Sequence, residues 1–248
     1  MRKFAKQAEI LSKKYAVVCT NPPYMNKLEG HLKDFVVTNY KAYSGDLFSV
    51  FIYRNFDFCE KYGYLAFMTP FVWMFIKTYE DLRSYIIDQK SITSLVQMEY
   101  SAYEEATVPI CSFILKNSNE ASNGQYFKLS EFKGGMEVQK KKVLEAVENK
   151  NCGYFYETGQ SNFTKLSGFP IAYWVSDSML KAFKGKNLSD YAQCCTGMQT
   201  GNNDKYIRAW FEVNYCSTVL HNASGKYKRY NCGGKSRKWY GNHTNLVL

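Results

Sequence analysis

The chain has 248 residues, 46% of them hydrophobic, and a formal net charge of +10. That length and apolar content allow roughly one and a half to two domains with their own cores. No stretch nears the about 20 uninterrupted apolar residues of a membrane helix, and the basic start leads into no secretory signal, so the reading is a soluble intracellular protein with no membrane contact.

The opening MRKFAKQAEILSKK contains neither a glycine-rich turn nor a strand. Residues 15–19 (YAVVC) are short, apolar and β-prone, which predicts a strand buried on both faces and ending at Thr20. Asn21, Pro22, Pro23 and Tyr24 follow. Neither proline has a backbone N–H, and Pro23 holds Pro22 extended, so the chain there must be a stiff loop. In an α/β sheet the loop leaving a strand's carboxyl end is where ligands sit, which would present Asn21 and Tyr24 at a crevice.

Downstream, Leu47, Phe48, Phe51, Ile52, Phe56 and Phe58 broadly follow helical spacing, and residues 64–68 (YLAFM) read as a second buried strand after a turn at Gly63. Residues 78–89 predict a helix with Leu82, Tyr85 and Ile86 on one face and Thr78 as N-cap. Residues 92–99 and 110–116 read as the last two strands, with the loop 101–109 between them. The polar run NSNEASNG closes this part at about residue 117, and 118–165 reads as a linker carrying an amphipathic helix with Val143, Leu144 and Val147 on its apolar face.

From residue 166 a second domain is expected. In it Gly197 and Gly201 mark a sharp turn, and Asn202 and Asn203 either cap it or bond base edges. Residues 213–248 hold no Asp or Glu, while Lys226, Lys228, Arg229, Lys235, Arg237 and Lys238 are interleaved with Tyr227, Tyr230, Trp239 and Tyr240. That pattern suits either a phosphate backbone with neighbouring bases or a solvated basic face. The eight cysteines form no CxxC pair, and the three histidines are isolated, so they read as reduced thiols; no metal site is expected, although Cys216, His221 and Cys232 have a usable spacing.

The N-P-P-Y run resembles the signature of amino-directed methyltransferases that use S-adenosylmethionine, whose best-known members methylate N6 of adenine in DNA. The resemblance implies that the Asn21 side-chain oxygen and the Pro22 carbonyl accept the two N–H bonds of the target amine, exposing its lone pair to the sulfonium methyl. Tyr24 would stack on a flipped adenine, and Tyr103 on its other face. Asp46, Leu47 and Phe48 match a motif that lies on the cofactor side in relatives. The segment YNCGGKSRKWYGN resembles a run in phage-exclusion (BREX-type) adenine methyltransferases, and Lys226, Lys228, Arg229, Arg237, Lys238 and Trp239 would then contact DNA.

Members of this family carry a glycine-rich cofactor motif upstream of N-P-P-Y, and this chain does not. The expected fold is therefore α/β: a partial Rossmann-like methyltransferase sheet, strands four to seven of the usual seven, over residues 1–117, and the start of a target recognition domain over 166–248. Such a piece of a longer product would bind cofactor poorly alone. The expected partners are double-stranded DNA and restriction or phage-defence subunits, in a bacterial cytoplasm at the nucleoid. Two rivals are methylation of a glutamine side-chain nitrogen in a protein, where an amide poses the same lone-pair problem, and a non-catalytic DNA-binding paralogue.

Overall fold

The computed structural model describes residues 2–100, 102, 108–186, 188–193, 195 and 197–248. They fall into two compact units, Met1–Lys186 and Asn187–Leu248. In the first, α1 (Arg2–Ser12) leads into β1 (Tyr15–Thr20), and then come α2 (Gly30–Asn39), α3 (Leu47–Asn55), β2 (Cys59–Pro70) and α4 (Glu80–Gln89). After these come β3 (Ser91–Gln97), β4 (Ile110–Lys116), β5 (Asn123–Lys128), α5 (Gly135–Glu148), β6 (Phe155–Gly159) and α6 (Asp177–Ala182).

The six strands form one mixed sheet in the order β1-β2-β4-β3-β5-β6. β1 runs parallel to β2, and β4 runs antiparallel to both β2 and β3, so β1, β2 and β3 all point the same way. The loops that leave their carboxyl ends, beginning at residues 21, 71 and 98, therefore gather at one end of the sheet. Phe71 N–H donates to Pro109 O and Met98 N–H to Ile110 O, which ties two of these loops together.

Alternation of side chains builds the core. On β2, Leu65, Phe67 and Thr69 are buried, and they meet Phe113 and Leu115 of β4, Leu95 of β3, and Phe48, Ile52, Leu82 and Ile86 from α3 and α4. Each such large apolar side chain contributes roughly 1.5–3 kcal/mol by leaving water. β1 departs from expectation. Only Val18 packs on the core, whereas Val17 on the opposite face is 62% exposed and β2 is the strand's one partner among the described residues.

The segment expected as a linker belongs to the sheet: β5 pairs in parallel with β3, and β6 pairs with β5. Its anchor is Tyr126, which is fully buried beside Phe163 and Tyr173. β5 can approach this closely because of Gly124, where an added Cβ would stand 2.4 Å from Ile92 O. On α5 the buried positions are Gln139 and Ala146, with Leu144 and Val147 exposed, so the inward face is rotated from the one the apolar spacing suggested.

The boundary expected at 165 is also displaced, because Ile171 and Tyr173 join the first unit's core. Ile171 N–H donates to Met74 O at 2.9 Å and Tyr173 Oη to Gln97 Oε1 at 2.9 Å. Arg83, 1% exposed, fastens the same segment: its guanidinium donates to the carbonyls of Gly168, Trp73 and Ile76 at 2.6–2.9 Å. Burial pulls its pKa below the usual arginine value, against the opposing charge of Glu80.

The second unit is slight. It holds α7 (Asn203–Tyr206), capped by Asn202 through Lys205 N–H at 3.0 Å, and a three-stranded antiparallel sheet. Its strands, β7 (Ile207–Ala209), β8 (Lys228–Tyr230) and β9 (Asn245–Val247), have three residues each, in the order β7-β9-β8. Among the described residues no helix of the chain is long and apolar enough to cross a membrane.

Candidate active site

The loop that follows β1 holds the N-P-P-Y run. Pro22 is buried, while Asn21, Pro23 and Tyr24 are exposed at the carboxyl end of the sheet. A rigid, buried proline between two exposed polar side chains leaves those side chains little freedom to wander. The Tyr24 hydroxyl donates to Asn21 Oδ1 at 2.9 Å and stands 3.1 Å from Met68 O near the end of β2. An amide oxygen has two lone pairs, so the bond from Tyr24 leaves Asn21 able to accept a second donor.

Behind the loop stands the start of α3. Asp46 is its N-cap, and Asp46 Oδ1 accepts from Phe48 N–H at 3.1 Å and from Met25 N–H at 2.8 Å. Leu47 N–H returns a bond to Met25 O at 3.0 Å. The Phe48 ring meets the Tyr24 ring edge-on at 6.4 Å and packs on Tyr79 at 5.3 Å. Burial, helped by the nearby negative charge of Asp46, pushes the Tyr79 phenol up to about 12. The expected cap at Thr78 is not made: residues 77–79 form a short 3-10 turn, and α4 begins after Tyr79 without a side-chain cap.

The residues singled out from sequence thus fall into three groups. Asn21, Pro23 and Tyr24 come together at one surface, with Pro22 buried beneath it. Asp46, Leu47 and Phe48 are 7%, 9% and 1% exposed and sit behind that surface. Tyr103 lies outside the described residues. In the second unit Lys226, Lys228, Arg229, Arg237, Lys238 and Trp239 are all exposed, with Lys228 and Arg229 on β8 and Lys238 Nζ 5.9 Å from the Trp239 ring. Among the described residues no three His, Cys, Asp or Glu side chains are grouped to hold a metal ion.

The first unit is thus a mixed sheet whose parallel strand β1 delivers an N-P-P-Y loop at its carboxyl end. Residues 1–103 match the family described as Eco57I restriction-modification methylase. The chain is 34% identical over 259 aligned residues to the adenine-specific methyltransferase PglX of Lacticaseibacillus casei (strain Zhang), covering 98% of this chain and 21% of that protein. It is 29% identical over 251 residues to the adenine-specific methyltransferase BrxX of Escherichia coli O9:H4 (strain HS), covering 98% and 20%. Among solved structures, the methyltransferase subunit of a type I restriction-modification system from Streptococcus thermophilus superposes with a TM-score of 0.50 at 13% identity, over 65% of this chain and 38% of that one. That likeness shows the fold.

The family match and the two alignments agree: along nearly its whole length the chain is similar to adenine-specific methyltransferases. It spans about a fifth of the length of the curated relatives it matches. S-adenosylmethionine is the cofactor this family implies. The side chains of Asp46, Leu47 and Phe48, which the motif match places on the cofactor side, are buried within the first unit.

Proposed function

We propose that the protein containing this chain methylates the N6 amino group of adenine in double-stranded DNA, within a restriction-modification or phage-defence system in the bacterial cytoplasm. One observation carries this reading: the buried Pro22 and the exposed Asn21 and Tyr24, held at the carboxyl ends of parallel strands in a homologue of adenine-specific methyltransferases. The first unit is then the C-terminal part of the catalytic domain, and the second is the start of the target recognition domain.

An exocyclic amine conjugated to a purine is a poor nucleophile, since its lone pair is delocalised into the ring. Asn21 Oδ1 and the Pro22 carbonyl accept its two N–H bonds, draw the nitrogen toward tetrahedral geometry and expose the lone pair. The Tyr24 ring stacks on the extruded base, which is worth roughly 1–3 kcal/mol and offsets the cost of unstacking it. Tyr103 supplies the second face. When bound, S-adenosylmethionine would supply the electrophilic methyl group, and the chain's own residues hold and ready the amine. In the second unit Lys226, Lys228, Arg229, Arg237, Lys238 and Trp239 lie along the phosphate backbone, a contact that weakens steeply with salt.

The test offers tritium-labelled methyl donor to the full-length protein with DNA or with cell protein as acceptor. Label in DNA, lost with Asn21→Ala, is expected. Label confined to protein would replace the reading with transfer to a glutamine side chain. Salt-dependent DNA binding without any transfer would replace it with a non-catalytic binding module.

A further inference from the structure

The N-P-P-Y loop has a mechanical problem. Pro22 and Pro23 have no N–H, so between Asn21 and Met25 only Tyr24 offers a backbone donor to anchor the loop. The first N–H beyond Tyr24 is that of Met25, and Asp46 takes it at 2.8 Å. Leu47 N–H closes the other half of a two-way clamp on Met25 O at 3.0 Å. The carboxylate that does this is 7% exposed and also caps α3, so loop and helix share one fixed point.

The surroundings hold that point in place. At Gly45 an added Cβ would stand 2.5 Å from Thr78 Cγ2 and 3.1 Å from Tyr79 Cε1, so the turn before Asp46 is pressed against Thr78 and Tyr79. Phe48, two residues beyond Asp46, carries its ring from Tyr79 on one side to Tyr24 on the other.

We propose that Asp46 is a positioning residue: through the Met25 clamp it sets where Asn21, Pro22 and Tyr24 stand relative to the target amine. Its carboxylate belongs to the loop's support, bonded to Met25 N–H and Phe48 N–H. The proposal rests on the methyltransferase reading above. It makes a distinction that a helix cap alone does not: an amide oxygen at position 46 can accept the same N–H bonds, whereas a methyl group cannot.

The experiment compares Asp46→Ala, Asp46→Asn and Ser176→Ala in the full-length protein. Ser176→Ala removes the cap of α6, where Ser176 Oγ accepts from Met179 N–H at 3.3 Å, far along the chain from the loop. Single-turnover methyl transfer to duplex DNA, duplex affinity, melting temperature and hydrogen exchange of residues 21–26 are measured on each.

Asp46→Ala is expected to slow transfer by about tenfold to a hundredfold, as a displaced reacting group does, with duplex affinity unchanged within about twofold. Asp46→Asn is expected to restore the rate to within about threefold, and Ser176→Ala to lower the melting temperature without touching the rate. A wild-type rate in Asp46→Ala overturns the proposal. So does an Asp46→Asn variant as slow as Asp46→Ala, which would assign the negative charge a direct part in the site. If the wild-type protein transfers no methyl to DNA, the functional reading fails while the clamp remains testable. Exchange of residues 21–26 must then rise in Asp46→Ala and stay at the wild-type level in Asp46→Asn and Ser176→Ala, and unchanged exchange in all three overturns the clamp.

Discussion

The two units of this chain use their residues in opposite ways. The first buries Trp73, Phe113, Tyr126, Phe163 and more than a dozen other apolar side chains around a six-stranded sheet, and from all that packing it presents one short rigid loop. The second buries little beyond Leu246 and Val247 among its large apolar residues, builds three-residue strands and exposes its basic side chains. The proposed function makes sense of the contrast: placing two acceptors on an amine demands a stiff support, whereas a thin scaffold carrying many cations is enough to track a charged backbone.

This contrast can be broken most forcefully at Arg83. Replacing it with alanine leaves the carbonyls of Gly168, Trp73 and Ile76 without their shared donor, which should destabilise the first unit by at least about 3 kcal/mol. Urea unfolding followed by core tryptophan fluorescence measures it, and a shift under about 1 kcal/mol would remove Arg83 from the support. Next is Asn21→Ala, which should cut methyl transfer by about a hundredfold or more, or about 2.7 kcal/mol, and leave DNA affinity nearly intact. Comparable losses in both would mean that the loop, and not the basic unit, holds the duplex.

Smaller changes sharpen the difference. Replacing Lys226, Arg229 and Arg237 with glutamine should weaken duplex binding at low salt and flatten the slope of log affinity against log salt by roughly 0.9 for each phosphate no longer neutralised, with little effect on the melting of the first unit. Titration in alkali should separate the units as well. Burial raises the Cys111 thiol to about 12, and burial with the charge of Asp46 raises the Tyr79 phenol to about 12. Both groups keep their protons when folded and lose them first when unfolded, so the stability they contribute is complete below about pH 8 and drains away as pH rises from about 9 toward 12. Urea midpoints for the first unit at pH 8 and pH 10.5 should fall accordingly, and a flat profile would contradict their burial.

How much of this was legible in the sequence follows the reach of the forces involved. The strands at 15–20, 91–97 and 110–116 announce themselves as short apolar runs, and the double proline declares a stiff loop whatever surrounds it. NGQYFK and FYETG show no such run; β5 is recruited by a fit between Tyr126, Gly124 and β3 that is written in residues far apart along the chain. The same limit displaced the boundary, because FPIAYW looks like a fresh start until Arg83 and Gln97 are seen to hold it. Asp46 shows both sides. Its place in a family motif was legible, but its bonds to Phe48 and Met25 were not, and only the folded chain brings Met25 near.

β1 has one further consequence. Its outer margin is a row of backbone groups with no paired strand among the described residues, flanked by the exposed Val17 and Tyr15. Such a margin behaves as an adhesive line and recruits any extended peptide that meets it. A lysine at position 17 is therefore a diagnostic handle. It should raise the solubility of this 248-residue chain when it is expressed by itself, and in the full-length protein it should do harm only if another strand already lies against that edge.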